Sequence, residues 1–165
     1  MASSPTSSAL RLRKTVHGGR VQLAVDVETV RCVVRYERKY LLVQHRARRR
    51  RNLGKWSLPG GRLKGREKPK AGLRRELNEE LRLRARALLR LGDWRDKKKY
   101  HRIFACEVLR PLDWFNRSEI LELGWFTLEE VIALANASRL RRGFELAAIA
   151  EFESRLPAQI GRAHV

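Results

Sequence analysis

The sequence predicts a single α/β domain, because strand-like segments come before, between and after helix-like segments. The chain has 165 residues, of which 43% are hydrophobic, so it is long enough for one domain with a core and too short for two. No apolar run reaches the roughly 18 residues that a bilayer-spanning helix needs. We therefore expect a folded domain without a membrane partner.

The N-terminal segment differs in composition from the rest of the chain. Residues 1–18 are rich in serine and lack acids, which predicts a disordered basic tail, and residues 19–165 are assigned to the domain. The tail also has a weak similarity to an organelle transit peptide, which stays open as an alternative to a cytoplasmic protein. Cys32 and Cys106 lie inside apolar runs and are expected to be buried thiols.

The strands are predicted from β-branched and alternating segments. Val21–Tyr36 predicts one long strand or two short ones, and Tyr40–Gln44 follows a polar turn as its hairpin partner. Leu81–Leu89 alternates apolar and basic residues, which predicts a half-exposed strand. Two further strands are predicted at His101–Leu109 and Gly124–Phe126.

The helices are predicted from start signals and apolar stripes. Pro69 suits the first turn of a helix that runs to about Leu81, and leucines at i, i+4 and i+8 from Leu73 form its buried stripe. Thr127–Glu130 has the pattern of a capping box that opens a second helix. An amphipathic helix is predicted over roughly Arg142–Arg155.

Acidic residues gather on one face of the first helix. Glu76, Glu79 and Glu80 stand at i, i+3 and i+4, so they lie one turn apart on the same side. Oxygen ligands of this kind suit Mg²⁺, although pairing of the acids with nearby arginines is an alternative. The net charge of +19 independently predicts anionic partners such as nucleotide phosphates or nucleic acid.

Eight residues stand at fixed spacings from one another within the 23 residues from position 61 to position 83. They are Gly61, Glu67, Arg75, Glu76, Leu77, Glu79, Glu80 and Leu83. They match in register the pattern G-x5-E-x7-R-E-U-x-E-E-x-G-U (U, bulky aliphatic), and the chain therefore resembles the Nudix hydrolases of the MutT kind. Arg82 replaces the last glycine, at a cost on the order of 1 kcal/mol for a left-handed helix exit.

The resemblance implies a Nudix-type α/β/α sandwich with a mixed sheet and a Mg²⁺-dependent hydrolase, with Mn²⁺ as an alternative ion. It implies that Glu79 and Glu80 bind the metal and that Glu76 completes the site directly or through water. Gly60 is implied to offer its backbone carbonyl. Arg75, four residues before Glu79, can orient the acids. The implied reaction is attack of water on phosphorus in a nucleoside diphosphate linkage.

Family members often recruit a further acid from outside the motif. Glu107, Glu119 and Glu122 are the candidates here. We favour Glu122, because it lies in the loop that leads into the strand predicted at Gly124–Phe126. A solvated loop acid is the alternative.

The substrate is less well defined than the reaction. The segment Arg95–Tyr100 lacks the proline expected of the ADP-ribose branch, whereas Tyr100 matches a tyrosine of dinucleoside polyphosphate hydrolases and their 5′-RNA pyrophosphohydrolase relatives. Packing accounts for that tyrosine nearly as well. The basic run Arg46–Arg51 with Lys55, and Lys97–Lys99, suit a phosphate entrance or an RNA backbone.

Three functions follow from these observations. The first is hydrolysis of an NTP, a dNTP or another nucleoside diphosphate derivative. The second is cleavage of dinucleoside polyphosphates or 5′-RNA pyrophosphate, and the third is RNA binding on a Nudix scaffold with little hydrolysis. The resemblance allows a monomer or a homodimer.

Overall fold

The computed structural model describes the backbone of residues 12–17, 20–47 and 49–157, and the side chains of residues 26–47 and 49–157. A two-stranded antiparallel sheet comes first, formed by β1 (Leu12–His17) and β2 (Arg20–Val25). A six-stranded sheet contains β3 (Thr29–Tyr36), β4 (Lys39–His45), β5 (Gly60–Arg62), β6 (Leu89–Asp96), β7 (Lys99–Glu107) and β8 (Ile120–Thr127). The helices are α1 (Pro69–Leu81), α2 (Leu128–Asn136) and α3 (Glu145–Arg155).

The larger sheet is mixed and opens at its centre. Its order is β6-β7-β3-β4-β8, and β3 runs parallel to β7 while the other neighbours are antiparallel. β3 pairs with β4 only next to the turn, through Arg35 and Tyr36. The other end of β3 pairs with β5, where Val30 faces Gly61. The matched segment of residues 61–83, called the glycine-acid motif below, therefore begins inside the sheet, between the diverging strands β3 and β4.

Helices cover both faces of this sheet. On one face Val33 belongs to a core that includes Val131 of α2 and Ile149 of α3. On the other face Val34 belongs to a core that includes the leucine stripe of α1, such as Leu77. Successive side chains of a strand point to opposite faces, so β3 is buried on both sides. This arrangement confirms the predicted α/β/α sandwich with a mixed sheet.

The helix α1 has the predicted bounds. Pro69 occupies its first turn, and it ends where Arg82 adopts a left-handed conformation with φ of 51°. The Arg82 guanidinium lies 3.9 Å from the centroid of the Trp114 ring. A cation–π contact at an exposed site contributes roughly 0.5–1 kcal/mol, which is similar to the cost of a non-glycine residue at this exit. The departure from the family pattern is thus accommodated.

The strand predicted over residues 81–89 is wrong for most of its length. Residues 82–88 form no strand, and β6 begins only at residue 89. Leu83 and Leu88 are buried against α1, which explains the apolar alternation. The backbone carbonyls of Ala85 and Arg86 accept hydrogen bonds from the Arg74 guanidinium (3.1 and 3.3 Å). These two carbonyls are therefore bonded to a side chain and not to a neighbouring strand.

The predicted tail also differs from the structure. Residues 12–17 form β1 and pair with β2, while residues 1–11, 18 and 19 lie outside the described residues. The segment predicted as one long strand or two short ones forms two strands, β2 and β3. The predicted thiols Cys32 and Cys106 are buried and unbridged, with their sulfur atoms 3.6 Å apart.

The two C-terminal helices begin with different caps. Thr127 and Glu130 form the predicted capping box at α2. α3 begins at Glu145, three residues later than predicted, because the Glu145 carboxylate accepts the backbone N–H groups of Arg142 and Gly143 (2.7 and 2.8 Å). Of the helices in the described part of the chain, none is long and apolar enough to cross a membrane.

Candidate active site

Three carboxylates meet beside the opening in the sheet. One oxygen each of Glu76, Glu80 and Glu119 lies within 4.8 Å of the other two. Glu76 and Glu80 come from α1, whereas Glu119 precedes β8. The Asn116 backbone N–H donates to the carbonyl oxygen of Glu80 (2.8 Å), and this bond ties the segment before β8 to the end of α1. The third acid is therefore supplied by tertiary structure.

Glu80 is the most buried of the three acids, with 2% of its surface exposed. Its Oε2 accepts a hydrogen bond from the backbone N–H of Gly60 (3.2 Å), and its Oε1 lies 3.1 Å from Nε2 of His45. Nδ1 of His45 lies 2.9 Å from Oγ of Ser57. A buried charge is costly unless it is paired, so these partners hold Glu80 in one orientation. Sequence reasoning missed His45, whose only signal is a polar residue at the end of an apolar strand.

Glu76 is half-buried beside this acid. Burial raises the pKa of Glu76 above its ordinary value, a hydrogen bond from Arg75 opposes the rise, and the charge of Glu80 adds to it. Arg75 Nη1 donates to Oε1 of Glu76 (3.0 Å). Like charges disfavour ionisation and a bound cation favours it, so this carboxyl group is sensitive to a metal ion.

Two glycines allow the backbone to approach the acids. A Cβ on Gly61 would lie 2.6 Å from the carboxyl carbon of Glu76. A Cβ on Gly60 would overlap the carbonyl oxygen of Val30 and come within 2.8 Å of Cα of Arg31, and its φ of 139° lies outside the usual range for other residues. No side chain fits at either position.

Arg75 contacts the other acids of the motif. Its Nε and Nη2 donate to both oxygens of Glu67 (2.8 and 2.9 Å), and these bonds lower the pKa of Glu67 to about 2. Its Nη1 also donates to Glu79 (3.2 Å), whose side chain is 39% exposed. Glu79 therefore lies beside Arg75 and outside the group of three clustered oxygens. Leu77 and Leu83 are buried in the core behind the helix.

The acid from outside the motif is placed differently from our first choice. Glu119 joins the cluster, whereas Glu122 lies within β8 opposite Gln44. Glu107 forms an ion pair with Arg35 (3.0 Å), where β7 ends. The reason is the start of β8, which begins at residue 120 and not at 124. The acid in the loop before this strand is consequently Glu119.

A cavity of about 430 Å³ opens over the acids. Of the three residues predicted to contact substrate, Arg46 lines this cavity, and its Nε donates to the carbonyl of Arg117 (2.8 Å). Lys55 and Tyr100 are not among the residues that line it or the cavity beside it. Tyr100 lies in β7 opposite Arg95. The structure thus brings only one of the three predicted residues to the acids.

A second cavity of about 540 Å³ adjoins the first and is strongly cationic. Arg31, Arg141 and Arg142 line both cavities. Arg31 is 6% exposed, and burial lowers its pKa to about 10, with a further contribution from Arg142. Sequence reasoning missed Arg31, although an arginine within the apolar strand TVRCVV was a signal for a buried cation.

His101 lies beside Arg31 at the edge of the second cavity. Its Nδ1 is hydrogen-bonded to Oγ1 of Thr29, and its ring lies 4.9 Å from that of Phe144. Nε2 of His101 is buried and has no partner among the described residues. Burial lowers the pKa of His101 to about 3, and the charges of Arg31 and Arg142 contribute. The imidazole is therefore neutral in the folded protein at physiological pH.

The buried His101 predicts a loss of stability in mild acid. As pH falls below about 6.5, the unfolded chain binds a proton at this residue, while the folded protein does so only near pH 3. The free energy of unfolding should therefore fall by about 2 kcal/mol more in the wild type than in His101→Gln between pH 6.5 and pH 5. Urea unfolding at each pH measures this difference. The contributions of the other titratable groups cancel, because the two proteins share them. Equal pH dependence of the two proteins would contradict it.

Comparisons with known proteins agree with the fold. The NUDIX domain family model matches residues 26–146. The solution structure of the E. coli ORF135 protein is similar, with a TM-score of 0.60 and 23% identity, covering 80% of this chain and 94% of that one. The MutT protein from Methanosarcina mazei Go1 gives a TM-score of 0.61 at 22% identity, covering 81% and 100%.

A third similar structure contains a ligand. The NUDIX domain of Shewanella oneidensis NrtR, complexed with ADP ribose, gives a TM-score of 0.66 at 20% identity and covers 81% of this chain and 90% of that one. The comparison with curated proteins found no match. The family match spans most of the chain and includes the whole glycine-acid motif. The chain is therefore a member of the Nudix hydrolase family, an enzyme of the pyrophosphohydrolase class.

Proposed function

We propose that this protein hydrolyses a diphosphate linkage in a nucleoside diphosphate derivative, with Mg²⁺ or Mn²⁺ as its cofactor. The observation that carries the proposal is the meeting of the Glu76, Glu80 and Glu119 oxygens within 4.8 Å. Arg31 and Arg46 line the same cavity as these acids. A cavity lined by both carboxylates and arginines suits a metal-bound phosphate.

The donor atoms in this cavity fit a hard divalent cation. Carboxylate and backbone carbonyl oxygens are the ligands that Mg²⁺ and Mn²⁺ prefer. Glu76, Glu80 and Glu119 would hold the ion, together with the Gly60 carbonyl, and Glu79 would complete the set directly or through water. When bound, the ion supplies Lewis acidity and lowers the pKa of a bound water.

The side chains around the cavity have distinct roles in the proposed reaction. An oxygen–phosphorus bond forms from water, the bridging phosphorus–oxygen bond breaks, and the departing phosphate ester keeps the bridging oxygen. Glu76, which lines this cavity beside the other two acids, would accept the proton of the water. Glu119 is the alternative base. Arg46, which lines the acid cavity, would offset the negative charge that develops on the phosphate.

The similar structures support nucleoside diphosphates linked to a second group as the substrate class. The Shewanella domain is complexed with ADP ribose. A UDP-X diphosphatase is also similar, with a TM-score of 0.59 at 19% identity, covering 81% of this chain and 66% of that one. Dinucleoside polyphosphates and 5′-triphosphate RNA contain the same linkage and stay within the proposal as alternative substrates.

A screen of hydrolysis tests the proposal directly. The panel comprises nucleoside triphosphates, oxidised nucleotides, dinucleoside polyphosphates, ADP-ribose and 5′-triphosphate RNA, each with Mg²⁺ or Mn²⁺ and with product separation by chromatography. We expect turnover of at least one compound, abolished by EDTA and restored by the metal. The absence of any turnover, in protein whose circular dichroism shows an intact fold, would overturn the proposal.

The positive charge favours one function of a different class, which is RNA binding without hydrolysis. The net charge is +19, and the second cavity is lined largely by lysine and arginine. Such binding should weaken steeply as salt concentration rises. Tight, salt-sensitive RNA binding together with an inactive substrate panel would favour it over hydrolysis.

His45 is expected to control metal affinity by orienting Glu80. His45→Ala removes the ring nitrogen that lies 3.1 Å from the Glu80 carboxylate. Loss of such an orienting partner lowers metal affinity by about 10–100-fold. Isothermal titration calorimetry with Mn²⁺ measures the affinity, and His45→Gln, which keeps an N–H donor, should recover part of it. An unchanged affinity in His45→Ala would show that Glu80 needs no such partner.

A further inference from the structure

The second cavity carries more positive charge than the proposed reaction uses. Of the described residues that line it, nine are lysines or arginines and one, Asp96, is an acid. Arg142 Nη1 donates to Asp96 (3.2 Å), so the negative charge of this acid is already paired. Gly61 and Arg62 line both cavities, so the cationic cavity is continuous with the acid cluster.

Arg31 lies where the two cavities meet, and no carboxylate of the described residues forms a salt bridge with it. Its Nη1 donates to the carbonyl oxygens of Leu58 and Gly60 (3.2 and 3.4 Å), and its Nε has no hydrogen-bond partner in the part of the chain that the structure describes. A guanidinium has five N–H donors, and a buried charge is costly unless an opposite charge compensates it. An anion in the cavity would supply that charge.

Arg141 is a second cation at this cavity. Its backbone N–H donates to the carbonyl of Trp56 (2.8 Å), which fixes its position in the chain. In the described part of the protein its half-buried guanidinium has neither a hydrogen bond nor an ion pair. Burial lowers the pKa of Arg141, and the charge of Arg142 adds to the effect. Arg141 and Arg31 line the cavity with charges that repel each other, and nearby carboxylates such as Glu145 offset these charges only in part. An added anion would offset both.

The lining of the cavity does not suit a nucleobase. Among the described residues no phenylalanine, tyrosine or tryptophan lines it, and its only aromatic ring, that of His101, packs against Phe144. Bases in such sites normally stack on an accessible aromatic face. Arginine forks instead match the geometry of phosphate oxygens.

We propose that the cationic cavity is a second anion subsite, which binds a phosphate group of the substrate other than the two phosphates of the cleaved linkage. The inference rests on the proposed function of the neighbouring acid site. The additional phosphate belongs either to a longer polyphosphate chain or to a separate phosphomonoester on the nucleotide. Both sources present the same anionic oxygens to Arg31 and Arg141.

Binding without metal tests the subsite separately from hydrolysis. Isothermal titration calorimetry with inorganic tripolyphosphate is performed in EDTA on the wild type, Arg31→Met, Arg141→Ala and Arg110→Ala. Arg110 is an exposed cation beyond the end of β7, outside both cavities, so this variant matches the loss of one charge. We expect Arg141→Ala and Arg31→Met to weaken binding by about 10-fold or more, and Arg110→Ala by no more than about twofold.

Substrate pairs then identify the source of the additional phosphate. Diadenosine tetraphosphate against diadenosine diphosphate tests the linear chain, and 2′-phospho-ADP-ribose against ADP-ribose tests the separate phosphomonoester. In the wild type, kcat/KM should be about 10-fold higher for the phosphate-richer member of at least one pair. Arg141→Ala should reduce that ratio to near one, and the pair affected identifies the source.

The outcomes separate the two proposals. Tripolyphosphate binding that depends on Arg141, in a protein without hydrolytic activity, would contradict the proposed function and support the subsite. Binding that Arg141→Ala leaves unchanged, or that Arg110→Ala weakens equally, overturns the subsite, because nonspecific attraction to a basic protein then accounts for it. In an active enzyme, ratios near one for both wild-type pairs also overturn it. Arg141 is only half-buried, so its variant keeps the test valid if Arg31→Met fails to fold.

Discussion

Glu80→Gln is expected to lower kcat/KM by at least about 100-fold for whichever nucleotide the protein hydrolyses. The substitution keeps the size of the side chain and removes the most buried negative charge of the acid cluster. Removing a residue that only orients a metal ligand costs up to about 100-fold, so loss of a direct ligand should cost at least as much. Steady-state kinetics with the best substrate of the panel measure the effect.

Glu107→Gln is the matched control for this substitution. Glu107 forms an exposed ion pair with Arg35 at the end of β7, and exposed pairs contribute little to stability. Its kcat/KM should stay within about twofold of the wild type, because no interaction with the acid cluster is lost. Full turnover in Glu80→Gln, with an unfolding transition like that of the wild type, would remove Glu80 from the proposed mechanism.

Gly60→Ala is expected to reduce the free energy of unfolding by about 3 kcal/mol or more, the range of severe substitutions. The added Cβ would overlap the backbone carbonyl oxygen of Val30 and approach Cα of Arg31 to 2.8 Å. Both neighbours belong to β3, which is buried on both faces and cannot move aside cheaply. The φ of 139° adds backbone strain for any residue with a Cβ.

Gly65→Ala separates strain of the backbone from overlap. Gly65 also has a positive φ, of 53°, but no atom of the described residues lies within 4 Å of the position of its Cβ. We expect a loss of only about 1 kcal/mol for this variant. Urea unfolding of both variants measures this difference as a shift in the urea concentration at the midpoint, provided that the dependence of the free energy of unfolding on urea concentration is unchanged. Similar losses in the two proteins would show that the close approach to β3 is not the reason for glycine at position 60.

The same close approach connects the fold to the candidate site. Gly60 donates its N–H to Glu80, and its carbonyl accepts a hydrogen bond from Arg31. A residue that displaced β5 from β3 would therefore move a proposed metal ligand and a proposed phosphate ligand together. We expect variants at position 60 that still fold to lose activity as well as stability.

The features that were predicted correctly depend on spacing within one segment. The helix α1 begins at Pro69 and ends at Leu81 as expected, because its start signal, leucine stripe and exit all lie within a few turns. Helical periodicity alone places Glu76, Glu79 and Glu80 on one side. It likewise places Arg75 within reach of Glu79, and the two are hydrogen-bonded.

The features that were predicted wrongly depend on partners elsewhere in the chain. The alternation of apolar and basic residues over positions 81–89 is typical of a strand. In the structure, however, the Arg74 side chain donates hydrogen bonds to two backbone carbonyls of this segment, and Leu83 and Leu88 are buried. Glu119 replaced Glu122 in the acid cluster because β8 begins earlier than its short apolar core indicated. Pairing with β4, which extends that strand, is not visible in the local pattern.

The sequence alone was sufficient to predict the family, the sandwich and the helix that carries the acids, since local periodicity and one motif contain that information. The folded chain was needed to show that His45, Glu119, Arg31 and Arg141 gather around those acids. These four residues come from a strand end, a loop, a buried strand and the segment before α3, and strand pairing and packing set the distances between them. The reaction class thus follows from residues close together in sequence, and the proposed selectivity follows from residues that only folding brings together.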